Sequence, residues 1–187
     1  MEQLLSGLYG ALIATILSIV YLYFSEQIKL RSEVMLEVVG YSDDIYNNLS
    51  LMHVHKDSMY TQEKPGLTKE EYRKYSNDLS VLLKSTKIKA KIALVYGEGP
   101  VLRIFNQLWK NYIEVSSVLR TATRSAWEVK ENKEIHNIFT MEIDPNREQL
   151  EKMLLKSASV KGVSKSLFER SFPTFINMFR FFDKIEK

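Results

Sequence analysis

Polar and apolar positions divide this chain sharply. No charged residue occurs from Gln3 to Ser25, whereas charge is spread throughout the chain after Glu26. Leu4 to Phe24 is a 21-residue apolar run. As an α-helix at about 1.5 Å per residue it is about 31 Å long, which matches a hydrocarbon core about 30 Å thick. A cleaved signal peptide would carry a basic start, a shorter apolar core and a small-residue cleavage site. Met1-Glu2-Gln3 has no Lys or Arg, and the run ends in Tyr21-Leu22-Tyr23-Phe24, aromatics suited to a membrane interface. The pattern therefore predicts a transmembrane anchor over residues 1–25.

Beyond the anchor the period is helical. Val34, Val38, Tyr41, Ile45, Leu49 and Met52 recur at three/four spacing. Only Gly40 weakens the segment up to about Lys56, so the anchor helix is expected to continue into an amphipathic one. Met59 to Leu67, with Pro65-Gly66, reads as a turn. Thr68-Lys69-Glu70-Glu71 is a capping box, with Leu67 and Tyr72 placed for a hydrophobic staple. From there one helix is expected to reach Gly97, with Tyr72, Tyr75, Leu79, Leu82, Thr86, Ala90 and Ala93 inward. Pro100 suits a first helical turn. Phe105, Leu108, Tyr112, Val115, Leu119, Ala122 and Ala126, widened by Trp109 and Ile113, predict a third helix ending near Lys130, in the charged stretch Glu128 to Glu134. Asp144-Pro145 reads as a cap and first-turn proline opening a short helix with Leu150, Met153, Leu154 and Ala158. A break is expected over Lys161 to Ser166, around Gly162, followed by a Phe-rich segment that Pro173 kinks or starts.

No strand-type alternation persists. The expected fold is all-α: one N-terminal transmembrane helix continuing into an antiparallel up-down helical bundle. Its parts are the anchor at 1–25, a long-helix bundle at 26–130, and a C-terminal helical segment at 131–187 packing on the bundle or the membrane surface. Leu94-Val95-Tyr96-Gly97-Glu98-Gly99-Pro100-Val101-Leu102, between two long helices and behind a single N-terminal span, resembles a class of uncharacterised bacterial single-pass membrane proteins with a cytoplasmic helical bundle. In these a similar Tyr-Gly-x-x-x-Val turn joins two helices. The resemblance covers residues 1–125 in outline and these nine residues in motif. It implies architecture, with no activity to carry over.

Charge adds orientation. No Lys or Arg precedes the span, whereas Lys29 and Arg31 follow it closely. The positive-inside rule then predicts the N-terminus outside and the rest cytoplasmic, in a cell inner membrane. In an up-down bundle the second helix returns toward the bilayer. Lys84, Lys87, Lys89 and Lys91 would then lie near anionic lipid, at about 1 kcal/mol each, unless they simply form a solvated face. Within the span, Ser6, Gly10, Ala14 and Ser18 recur every four residues, with Gly7 and Ala11 alongside. Small residues at that spacing allow close helix approach in lipid, although they are also common in any membrane helix. The C-terminal Phe172, Phe175, Phe179 and Phe182, with Phe168 and Phe181 and flanking cations, suit either an interfacial or partner-binding helix or a last core helix.

Composition excludes several chemistries. The chain has 187 residues, a net charge of +3 and no cysteine, so disulfides, zinc–cysteine sites and cysteine nucleophiles are absent. The mild charge gives no reason to expect nucleic acid. His53-x-His55 on a helix places the two rings about 200° apart, too far to share a metal. His136 lacks the Glu of a Glu-x-x-His di-iron pattern. Asp43-Asp44 with Tyr46 reads as a solvated patch with core contact from Tyr46, and Glu33 and Glu37 share a helix face but lack a matched second pair. Gly97-Glu98-Gly99 is not a phosphate loop, and there is no Gly-x-Ser-x-Gly elbow. Neither a catalytic residue nor a metal or cofactor is expected. The expected partners are membrane lipid and either copies of the chain or another protein. The pattern points to a non-enzymatic membrane-anchored interaction or accessory protein. The alternative is an oligomerising membrane effector of a bacterial stress or phage-defence system.

Overall fold

A computed structural model describes residues 2–61, 68–97, 99–123 and 126–166. Every element among them is helical, and none is a strand. Helix α1 runs Glu2–Thr61, α2 Lys69–Lys84, α3 Lys87–Tyr96 and α4 Pro100–Thr121. Two wider π-type segments, Trp127–Glu131 and Phe139–Ile143, flank α5 (Asn132–Ile138), and α6 (Asp144–Ala158) follows. A short helical stretch covers 160–166.

The chain forms two compact units. The larger, Val34–Leu154, holds the main core. Its α1 portion contributes Val34, Val38, Ile45, Leu49 and Met52, which are buried with Tyr41 packed beside them, as the three/four spacing predicted. Gly40 does not interrupt α1, and the helix continues through the expected turn at Met59 to Thr61. Residues 62–67, with Pro65-Gly66 and Leu67, lie outside the described residues. At α2 the capping box forms. The Glu71 N–H donates to Thr68 Oγ1 at 3.2 Å, and the Thr68 N–H donates to Glu71 Oε2 at 2.7 Å.

The expected single helix to Gly97 is instead two. The Leu82 carbonyl accepts from the Ser85 N–H at 3.0 Å and from the Tyr41 hydroxyl. A tight three-residue turn and a long-range bond thus replace the regular i→i+4 bond, and Ser85 turns extended. The buried face rotates at this break. Leu79 is buried and Tyr72, Tyr75 and Leu82 are half-buried, but Thr86 and Ala90 are exposed, and Ile88, Ile92 and Val95 fill the core in α3. Gly97, at φ 72°, ends α3 where a side chain would be strained. Pro100 occupies the first turn of α4.

The α4 stripe of Phe105, Leu108, Trp109, Tyr112, Val115, Leu119 and Ala122 is buried, while Ile113 points outward. The helix ends at Thr121, not near Lys130. The charged stretch from Glu128 to Glu134, the expected helix end, is helical, because Trp127, Ile135, Ile138 and Phe139 bury a continuous apolar face there. Helix α6 opens at Asp144 with Pro145 in its first turn, as expected, but Asp144 has helical φ/ψ and continues the preceding helical turns, so it is not a cap. The preceding widened turns carry the chain into Pro145, where a regular ladder would meet the proline ring. Helices α2, α3 and α5 all pack on α4, which is the centre of this unit.

The smaller unit comprises described residues 2–33 and 155–166. Its chain breaks at Ser159, before the expected position, and residues 160–166 are helical. Gly162 is required there, since a Cβ would meet the Lys156 carbonyl oxygen at 2.3 Å and Ser157 Cα at 2.8 Å.

Candidate membrane-attachment site

Among the described residues one helix, α1, is long and apolar enough to cross a membrane, and its most apolar stretch is wholly exposed. Leu8, Leu12, Ile13, Ile16, Leu17, Ile19 and Val20 all present apolar surface, as do Tyr21, Leu22 and Tyr23 at the end of the run. Exposed apolar side chains on every face of one helix are costly in water at roughly 25 cal/mol per Å². In lipid that cost vanishes, and the helix satisfies its own backbone hydrogen bonds.

The small-residue face lies on this surface. Gly10, Ala14 and Ser18 are exposed, and nothing lies within 4 Å of a Cβ built on Gly7 or Gly10. Ser6 is in the helix, but its side chain is not described. Toward the end of the apolar run, Leu17, Val20, Tyr21, Phe24 and Ile28 join Val160 around an apolar groove of about 500 Å³. The two cations used for orientation behave differently. Lys29 is exposed, 3.9 Å from Glu33. Arg31 is buried, and its guanidinium donates to the Ser157 carbonyl at 3.0 Å and to Ser166 Oγ at 2.8 Å. Arg31 thus clamps the 155–166 segment to α1, a role that its sequence position does not signal. Phe172, Phe175, Phe179 and Phe182, together with Pro173, lie outside the described residues.

The four lysines of the expected second helix fall on α2 and α3 and do not form one equivalent face. Lys84 and Lys87 are exposed. Lys89 Nζ sits 4.7 Å from the Trp109 ring centre, and burial lowers its pKa. Lys91 donates to Glu37 Oε1 at 2.6 Å. The break at Ser85 separates Lys84 from the other three. Glu37 is thereby tied to α3 by a lysine 54 positions away.

Polar groups elsewhere are tied into the fold. His53 Nε2 meets Asn132 Oδ1 at 2.9 Å, while the His55 ring lies tilted against Tyr72 with ring centres 4.7 Å apart, so the two imidazoles serve different neighbours. Lys56, buried, donates to the Ala122 carbonyl at 3.1 Å, which also accepts from Tyr60 Oη at 2.8 Å. A cation there offsets the negative end of α4. Asp43 pairs with Arg147, whose guanidinium lies 4.0 Å from the Tyr46 ring centre. Asp44 is exposed and Tyr46 packs against the core, as expected, while Asp43 is tied across to α6. Ser42 and Tyr112 share a buried 2.7 Å hydrogen bond. No group of three or more metal-ligating side chains occurs among the described residues. No family model, curated protein or solved structure matches this chain.

Proposed function

We propose that the protein is a single-pass, membrane-anchored, non-enzymatic interaction protein. Residues 4–24 cross a cell inner membrane with the N-terminus outside. The remaining chain is a cytoplasmic antiparallel up-down bundle that docks another protein or its own copies near the inner leaflet. One observation carries the reading. The residues after Val34 bury their apolar stripes against one another, whereas the apolar run before Ser25 is exposed on all sides. The direction of the pairings supports the up-down arrangement. Tyr72, early in α2, donates to Leu119, late in α4, and Lys84, late in α2, shares a cleft with Ile113, earlier in α4. Orientation is supported by Lys29 and Arg31 behind the span and no cation before it.

The mass of the particle extracted in mild detergent, with whatever accompanies it, tests this reading. A stable protein companion or a multiple of the chain mass is expected, and a bare monomer would contradict it. A second reading, an oligomerising effector that perturbs the membrane, is favoured by the uncovered Gly10/Ala14/Ser18 face. Dye leakage or growth arrest on expression, abolished by Gly10→Leu or Ala14→Leu, would select that reading.

A further inference from the structure

Between α2 and α4 lies a cleft of about 270 Å³, near the small end of ligand pockets. Its polar lining combines hydroxyls and cations, the Thr121 hydroxyl already donating to the Ser117 carbonyl at 3.0 Å. Ser80 of α2 and Ser116, Ser117 and Thr121 of α4 bring four hydroxyl-bearing side chains, while Lys84 and Arg120 bring two cations. No carboxylate is among the lining residues. Neither cation forms an ion pair among the described residues, in contrast to Lys91 with Glu37 and Arg147 with Asp43. Arg120 is held by one guanidinium N–H, which donates to the Ser76 carbonyl at 3.1 Å. The rest of its donor fork remains available.

The adjacent negative end of α4 does not consume these charges. The Ala122 carbonyl is already met by Lys56 and Tyr60, and the Leu119 carbonyl by the Tyr72 hydroxyl at 2.9 Å. Two positive charges and several hydroxyls therefore converge on a cleft that supplies no anion of its own. A guanidinium fork beside an ammonium suits a tetrahedral oxyanion with several acceptors. Leu83 and the outward-facing Ile113 add an apolar wall, which fits the carbon side of an ester. We propose that this cleft binds a phosphate ester, supplied either by a lipid headgroup or by a soluble metabolite. The inference is independent of the membrane reading, because the site lies wholly within the 34–154 unit.

The test uses the full chain in neutral-detergent micelles, with inorganic phosphate as the soluble probe and chloride at equal ionic strength as reference. Phosphate should raise the unfolding temperature. Half-saturation should move at least about tenfold higher in the Lys84→Ala/Arg120→Ala double variant, since each lost charged hydrogen bond weakens binding by about that factor. Ser117→Glu, which puts a carboxylate in the cleft without touching either cation, should abolish the response. Lys74→Ala, on α2 away from the cleft lining, should preserve it. Native mass spectrometry of the same proteins released from phosphatidylcholine–phosphatidylglycerol nanodiscs supplies the second arm. One fewer retained lipid in the double variant assigns the site to a headgroup. A phosphate response with unchanged lipid retention assigns it to a soluble ester. If wild type and double variant agree in both arms, the proposal is overturned.

Discussion

Helix α1 carries a leucine pair that tests the core assignment within a single element. Leu49 is 0% exposed and Leu36 68% exposed. They are thirteen positions apart, roughly 220° around the helix axis. Leu49→Ala removes three buried carbons from a site closed by neighbouring helices, and such truncations cost about 2–5 kcal/mol through lost burial and the cavity left behind. A domain of this size should lose roughly 3–5 °C of midpoint per kcal/mol, so the transition should fall by roughly 10 °C or more. Leu36→Ala removes side-chain surface that already faces outward, and alanine is at least as good a helix former. Its effect should stay within about 0.5 kcal/mol. Thermal unfolding in micelles, followed by tryptophan fluorescence, reads this core directly, since Trp109 and Trp127 are both buried in it. Equal losses in the two variants, or an unchanged midpoint for Leu49→Ala, would refute the packing derived for α1.

Four further outcomes follow from individual sites. Burial raises the Tyr112 pKa above the ordinary tyrosine value, against a lesser opposing pull from the Ser42 hydrogen bond. An unfolded tyrosine ionises near about pH 10 while the folded one keeps its proton, so stability should decline as pH rises above about 10. Tyr112→Phe should flatten that decline while lowering neutral-pH stability by about 1–2 kcal/mol. Burial, reinforced by the Lys56 cation, lowers the His55 pKa, although Glu71 opposes the shift. The unfolded chain then takes up the proton first, so stability should fall as pH drops below about 6.5, and His55→Phe should weaken that acid dependence. Gly162→Ala drives a Cβ into the Lys156–Ser157 backbone and should speed tryptic cleavage at Lys156 and Lys161 several-fold. Gly40→Ala, with open space around the added carbon, should stabilise the domain by about 0.5–1 kcal/mol.

The features legible in the sequence are those written locally. The capping box at Thr68, the stop at Gly97, the first-turn Pro100 and the stripe from Phe105 to Ala122 each depend on residues within a turn or two of one another. The exposed apolar span is likewise a matter of length and composition. What escaped the sequence depends on distant partners. Nothing between Lys84 and Lys87 breaks a helix by propensity; the Tyr41 hydroxyl, reaching the Leu82 carbonyl from α1, accompanies the break. The charged stretch after Trp127 reads as a helix end until its buried face is seen packed with α4. Arg31, Lys56 and Arg147 look like ordinary surface cations, yet each meets groups that lie 66 to 135 positions away. The α2–α4 cleft is of the same kind, since Lys84 and Arg120 meet only through the pairing of two helices. The sequence marks Lys84 by its charge but carries no sign of its neighbours across the cleft.

Because the chain has no cysteine, single substitutions can report on the span directly. Leu12→Cys and Leu17→Cys should resist a membrane-impermeant maleimide in intact membranes and react fully once detergent is added. Leu94→Cys, on the exposed surface of the 34–154 unit, should react in inside-out vesicles and stay protected in right-side-out ones. Labelling of Leu12→Cys in intact membranes as fast as Leu94→Cys in inside-out vesicles would contradict the transmembrane assignment of α1.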